Sequence, residues 1–129
     1  MFRIHSVDDG RNVPIEYLPV SAMTPKFGTA MAMSSGKLAL ATGATRPQYI
    51  SMVEKDAACT DGDIIPVIRV DSDIIFETTA QAALTSVNLG DKVTIHTDGA
   101  QVTATTASGV AEVVYMDGSA AGSMVRVRF

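Results

Sequence analysis

The feature that most constrains this chain is the alternation between Lys92 and Thr105, broken once by Asp98-Gly99. Lys92-Val93-Thr94-Ile95-His96-Thr97 and Gln101-Val102-Thr103-Ala104-Thr105 both alternate apolar and polar residues, the pattern of a half-buried strand. An Asp-Gly pair between two such runs predicts a β-hairpin with a type I′ turn, which needs positive φ at both central residues. The predicted register sets Thr97 opposite Ala100, Ile95 opposite Val102 and Val93 opposite Ala104 on one apolar face. The other face pairs His96 with Gln101, Thr94 with Thr103 and Lys92 with Thr105, and reads as solvated. A slip of one residue would turn Val93 and Ile95 to solvent, so the register is well specified.

The remaining strand candidates follow the same grammar. Leu38–Thr42, Gln48–Val53, Ile64–Val70 and Asp73–Thr78 are short, β-branched and punctuated by Gly, Pro or Asp at roughly ten-residue spacing. Pro66 lies inside one of them and predicts a sheet edge or a bulge, because proline donates no ladder hydrogen bond. The last strand places Val125, Val127 and Phe129 on one face and Met124, Arg126 and Arg128 on the other. Thr79–Leu84 is the one helical candidate, and at that length it reads as a turn of helix or a loop. At 129 residues the chain fits one domain. The expected fold is all-β, or β-rich with at most one short helix: a small single-domain β-barrel or sandwich with an extended N-terminal arm.

Residues 1–36 differ in texture from the 37–129 body. Pro14, Pro19 and Pro25 exclude helix and central strand there, while Phe2, Ile4, Val13, Ile15 and Tyr17 keep the segment too apolar for a disordered tail. Two readings stay open: an extended arm that docks those five side chains onto a partner, or an edge strand of the same sheet.

Composition narrows the function classes. The net charge is −4 and no basic stripe is visible, which argues against a nucleic-acid partner. Trp is absent and aromatics are 5%, so no base-stacking platform is evident. Charged residues are only 19%, which suggests a surface that partners cover. The single cysteine, Cys59, forms no intramolecular disulfide and fits a reducing compartment. No apolar run approaches the ~20 residues that span a bilayer, and the start lacks a signal-peptide core, so no membrane partner is expected.

Catalytic and cofactor signatures are missing from the pattern. Asp61, Asp63, Asp71 and Asp73 could offer oxygens to a hard cation, but they lack the spacing of a closed calcium loop and turn chemistry accounts for all four. His5 and His96 have no framing nucleophile. Cys59 reads as an inert, buried or half-buried thiol. Gly43–Arg46 and Asp117–Gly122 read as hairpin turns and not phosphate loops. No catalytic, metal or cofactor residue is assigned, and the chain is expected not to be an enzyme. Arg126 and Arg128 form either a solvated face or bidentate contacts to carboxylates on a neighbouring copy.

Ala41–Met52, Gly62–Val70, Gly109–Val114 and Gly122–Phe129 together resemble segments of small head proteins of tailed bacteriophages, the capsid decoration or head-stabilising proteins of lambda-like phages. The resemblance covers about the C-terminal two-thirds and is one of general pattern. It implies a β-rich body on the outside of an expanded icosahedral shell, a homotrimer there, and an N-terminal arm that pairs with a strand of the major capsid protein. It also implies a virion location after synthesis in the host cytoplasm. A phage tail or head-fibre β module, and a small-barrel carbohydrate- or nucleic-acid-binding module, are the alternatives.

Overall fold

A computed structural model describes all 129 residues. The chain forms ten strands and no helix, so none is long and apolar enough to cross a membrane. The strands are β1 (Arg3–Val7), β2 (Ile15–Pro19), β3 (Ala30–Ser34), β4 (Lys37–Leu40), β5 (Tyr49–Ser51), β6 (Ile64–Arg69), β7 (Ile74–Thr79), β8 (Lys92–Val93), β9 (Ala111–Met116) and β10 (Met124–Arg128). They make two antiparallel five-stranded sheets, ordered β1-β7-β10-β9-β8 and β2-β6-β5-β3-β4. The architecture is a β sandwich.

The alternation read in the sequence places the core. On β7, Ile74, Phe76 and Thr78 are buried, and Val125 and Val127 of β10 are buried together with Phe129 just beyond it, each with partly exposed residues between. The larger core cluster joins these to Val93, Ala111 and Val113 of the first sheet and to Ala30, Ile50 and Ile68 of the second. The second sheet is covered on its other face too. There Met31, Leu38, Tyr49, Ile65 and Val67 pack with Val20 and Cys59 in a smaller cluster, which explains the unbroken apolar run from Ile64 to Ile68. Val20 bridges Leu38 in parallel, bringing opposite edges of that sheet together at one point.

Three expectations change here. The Asp98-Gly99 turn is not type I′, since only Gly99 has positive φ (66°). The His96 carbonyl accepts from Gly99 N at 2.9 Å, so Thr97 and Asp98 are the central residues. Asp98 Oδ1 in turn accepts from the Ala100 and Gln101 amides at 2.8 and 3.2 Å, locking the longer loop. Next to that loop the predicted register is present, with Ile95 bridged to Val102, His96 N donating to Gln101 O at 2.9 Å and Thr103 N to Thr94 O at 2.9 Å; it ends there, since Thr94 N donates to Thr105 O and Lys92 and Val93 pair instead with Glu112 and Ala111 of β9. Second, Pro66 sits in an interior strand with no bulge. Its carbonyl accepts from Met52 N at 3.0 Å, so its donorless nitrogen faces the β5 side just past the last β5 residue, Ser51. Third, Gly43–Arg46 is a crossover and not a hairpin turn, because β3 lies between β4 and β5. Of the two readings of Thr79–Leu84, a turn of helix or a loop, the structure has no helix there.

The hairpin's polar face is also less solvated than the alternation predicts. Thr94 is buried and its hydroxyl lies 2.7 Å from that of Thr103. The loop itself docks on the second sheet, where Gly99 O accepts from Ala30 N at 2.7 Å. A Cβ on Gly99 would stand 2.9 Å from Thr29 Cγ2, so glycine is required there for space as well as for φ.

Candidate functional site

Residues 1–20 supply the outermost strand of each sheet. β1 pairs with β7 and has no second neighbour in its sheet, and β2 pairs with β6 and otherwise meets only β4, at the Val20–Leu38 bridge just past its C-terminal end. Phe2 anchors this segment: it is 1% exposed, and its ring meets that of Phe129 edge-on at 5.3 Å. Its amide donates to Gly28 O at 2.7 Å. Gly28 has φ 71°, and a Cβ there would lie 2.7 Å from Phe2 O, so this close approach requires glycine. Arg11 fastens the β1–β2 loop. Its Nη2 donates to Asp73 Oδ2 at 2.9 Å and to Asp71 Oδ2 at 3.2 Å, and its Nε reaches Asp73 Oδ2 at 3.2 Å. These bonds, Asp73's first, raise the guanidinium's pKa above its ordinary value.

The five apolar residues predicted to dock on a partner therefore divide. Phe2 is a core residue with no surface to offer in this structure, and Val13 packs half-buried against the main cluster. Ile4 shares the face of Phe76 but remains 40% exposed on its edge strand. Ile15 and Tyr17 are open, at 52% and 68% exposure. The β2–β6 register sets Ile15, Tyr17 and Pro19 opposite Ile68, Pro66 and Ile64 on one face. That face enters the core at Ile68 and runs out to solvent at Ile64, which is 56% exposed. Ile64 and Pro66 complete an apolar surface that the sequence reading did not assign. Their parity with Ile68 was the available signal.

The main-chain groups of β2 alternate in the same way. Val20 N donates to Asp63 O and Gly62 N to Val20 O, each at 2.8 Å, so Val20 faces β6. Alternation turns Glu16 and Leu18 the same way and leaves the N–H and C=O of Ile15 and Tyr17 on the open side, while Pro19 and Ser21 turn toward Leu38 of β4, whose carbonyl accepts from Ser21 N at 2.9 Å. Unpaired strand-edge groups beside exposed apolar side chains form a template for another strand.

The other predicted positions have partners within the chain. Arg126 Nε donates to Glu77 Oε2 at 3.2 Å, and its guanidinium lies 4.6 Å from the centre of the Tyr115 ring. Arg128 Nη2 stands 3.5 Å from Asp8 Oδ2, and its Nε is buried without a hydrogen-bond partner. Asp71 and Asp73 hold Arg11, Asp61 pairs with Lys37, and Asp63 caps the Thr60 amide at 2.8 Å. No group of three or more His, Cys, Asp or Glu side chains is arranged to hold a metal ion. Cys59 is buried in the smaller cluster.

A surface cleft of about 540 Å³ is lined by Met33, Arg46, Gln48, Arg69 and Asp71, among others. Several of its polar groups are already engaged. Arg46 donates to Phe129 O at 3.0 Å, Gln48 Oε1 accepts from Met33 N at 2.7 Å, and Arg69 Nε donates to Glu16 Oε1 at 2.9 Å. The hydrogen bonds to Glu16 raise the Arg69 pKa. Such an opening supplies no convergent set of free polar groups of the kind that orients a substrate. No protein-family model matches the chain, and no curated protein matches it.

Proposed function

We propose that this protein is a structural component of a tailed-bacteriophage virion that binds the outside of the major capsid protein shell and stabilises it, without catalysis. The observation that supports this reading best is the position of the first twenty residues. They form the open edge of each sheet, with Ile4, Ile15 and Tyr17 exposed along them. A strand of the shell protein added to such an edge gains main-chain hydrogen bonds, and the alternate side chains supply the fit. Stabilisation then follows from mass action, since a ligand that binds only the expanded lattice lowers that lattice's free energy by its own binding.

The test is co-sedimentation with expanded and unexpanded empty tailed-phage shells, followed by heating. Expanded shells should retain the protein and resist heat better with it. Lysine at Ile4, Ile15 and Tyr17 together should abolish retention while the far-ultraviolet circular dichroism stays unchanged. Absence of binding to either shell overturns the proposal.

A further inference from the structure

β5 has three residues and lies between β3, with five, and β6, with six. Tyr49 at its start stands opposite both Met31 and Arg69. Pro47 ends the ladder there, since proline donates no hydrogen bond, and the chain before it leaves toward the hairpin, where Gly43 bridges Ile95. β3 and the segment after β6 run on past this point. The 540 Å³ cleft is therefore a strand lane: Ala32 and Met33 line one wall, Val70 and Asp71 the other, and Pro47 and Gln48 close its inner end. Consecutive residues of a wall point their side chains to opposite faces of the sheet, so what they present to the lane is main chain. Strands two lanes apart stand about 9.5 Å from each other, which admits one extended chain between them.

The main-chain groups of the walls follow by alternation. Ser51 N donates to Thr29 O and Gln48 N to Met31 O, each at 2.9 Å, so Met33 also turns its N–H and C=O toward the lane. Gln48 Oε1 accepts from Met33 N at 2.7 Å, in the place of a strand carbonyl, and the Met33 carbonyl has no strand residue opposite it. On the facing wall Val70 N donates to Gln48 O at 2.9 Å, and the Val70 carbonyl, on the same side of the extended chain, accepts no main-chain bond. Two carbonyls on facing walls suit the N–H groups of an extended chain. Among the charged side chains of the lining, Arg69 is held by Glu16 and Asp71 by Arg11. Arg46 makes one hydrogen bond, to Phe129 O at 3.0 Å, and keeps most of its donors free. We infer that this lane receives the carboxylate end of an extended chain.

The lane selects the end as well as the chain. Its inner end is closed, so a strand enters it only by a terminus. Both walls run outward from the closed end, and β5 runs inward. A chain entering by its carboxyl end runs as β5 does and pairs antiparallel with both walls. Entry by the amino end gives the parallel pairing, which is slightly less stable, and brings an ammonium group toward Arg46. A carboxylate instead meets the planar guanidinium, which bonds it bidentately. Ala32 and Val70 pack against the larger core, so the entering residue on that face is apolar. The inference does not rest on the shell reading, whose proposed contacts lie on β1 and β2. It calls for no small substrate either, since what the cleft leaves open is main chain and one arginine.

The experiment titrates the isotope-labelled full chain with acetyl-valyl-threonyl-valine, as the free acid and as its carboxamide, and follows the amide resonances. The acid should shift the amides of residues 32–34, 45–48 and 69–72. The carboxamide should bind at least tenfold more weakly, because it loses a charge-assisted pair. Arg46→Gln should erase that difference, and Arg46→Lys should restore part of it. No shift with the acid at millimolar concentration, equal binding of acid and carboxamide, or shifts centred on β1 and β2 instead, overturns the inference. Acetate alone binding as tightly as the tripeptide overturns it too, because the cleft would then read a charge and not a chain. The comparison of acid with carboxamide uses the unmodified protein, so it decides the matter even where an Arg46 variant fails to fold.

Discussion

Replacing Phe2 by alanine measures whether the N-terminal segment belongs to the core. Phe2 is 1% exposed and contacts the Phe129 ring edge-on at 5.3 Å, while Phe129 also lies 5.7 Å from Phe76. Truncating a buried phenylalanine costs about 3–5 kcal/mol through lost transfer energy and the cavity left behind. Because β1 is an edge strand, it can partly collapse inward, which places the expected loss near the lower end, about 3 kcal/mol. Aromatic pairing adds roughly 0.5–1.5 kcal/mol to what is lost. For a chain of this size that corresponds to a fall in melting temperature on the order of 10 °C. Urea unfolding followed by circular dichroism gives the stability, with Ile4→Ala, 40% exposed, as the internal control at about 1 kcal/mol or less. A Phe2→Ala loss no larger than that of Ile4→Ala would refute the placement and return residues 1–7 to the status of a free arm.

Further outcomes follow from the same contacts. Gly99→Ala should destabilise by about 2 kcal/mol, since the left-handed conformation alone costs an alanine roughly 1–2 kcal/mol and the new Cβ meets Thr29. Gly10→Ala has the same sign of φ but open space around it, so thermal melts should show a loss of only about 1 kcal/mol there. Arg11→Gln should increase amide exchange and protease cleavage within residues 8–14, and high salt should produce part of the same effect in the unmodified chain. The Arg11 pKa is raised on folding, first by its hydrogen bond to Asp73. Its contribution is therefore fully present below the unfolded value and is lost only as pH rises through the folded one. Cleavage at this loop should thus be unchanged on moving from neutral to mildly alkaline pH, and an increase there would contradict the assignment.

How much was legible in the sequence can be argued from single residues. The pairing of Ile95 with Val102 follows from period-two alternation, because only one register buries both. The turn between them does not follow, since Asp98 can either take positive φ or bond the two amides ahead of it, and it does the latter. The N-terminal segment was ambiguous because an edge strand and a docking arm carry the same signature: prolines at the ends and apolar residues between. What separates them is the meeting of Phe2 with Phe129, at the far end of the chain, and with Gly28. Local pattern contains neither contact. Pro66 misled for a similar reason. A proline inside a sheet is tolerated where the neighbouring strand has just ended, and the end of β5 at Ser51 is a tertiary fact. The arginines of β10 illustrate the limit from the other side. Alternation placed Arg126 and Arg128 on the outward face, but Glu77, Tyr115 and Asp8 come from other strands and loops.

The proposal that this protein reinforces a shell through its edge strands is tested most directly by amide exchange on the bound protein. In the free chain, the outward amides of Ile15 and Tyr17 should exchange faster than those of Glu16 and Leu18, which face β6. Binding to expanded phage shells should then slow exchange within residues 3–19 and leave the strands of the sandwich interior unchanged. Protection elsewhere on the surface, with residues 3–19 exchanging as in the free protein, would contradict the account.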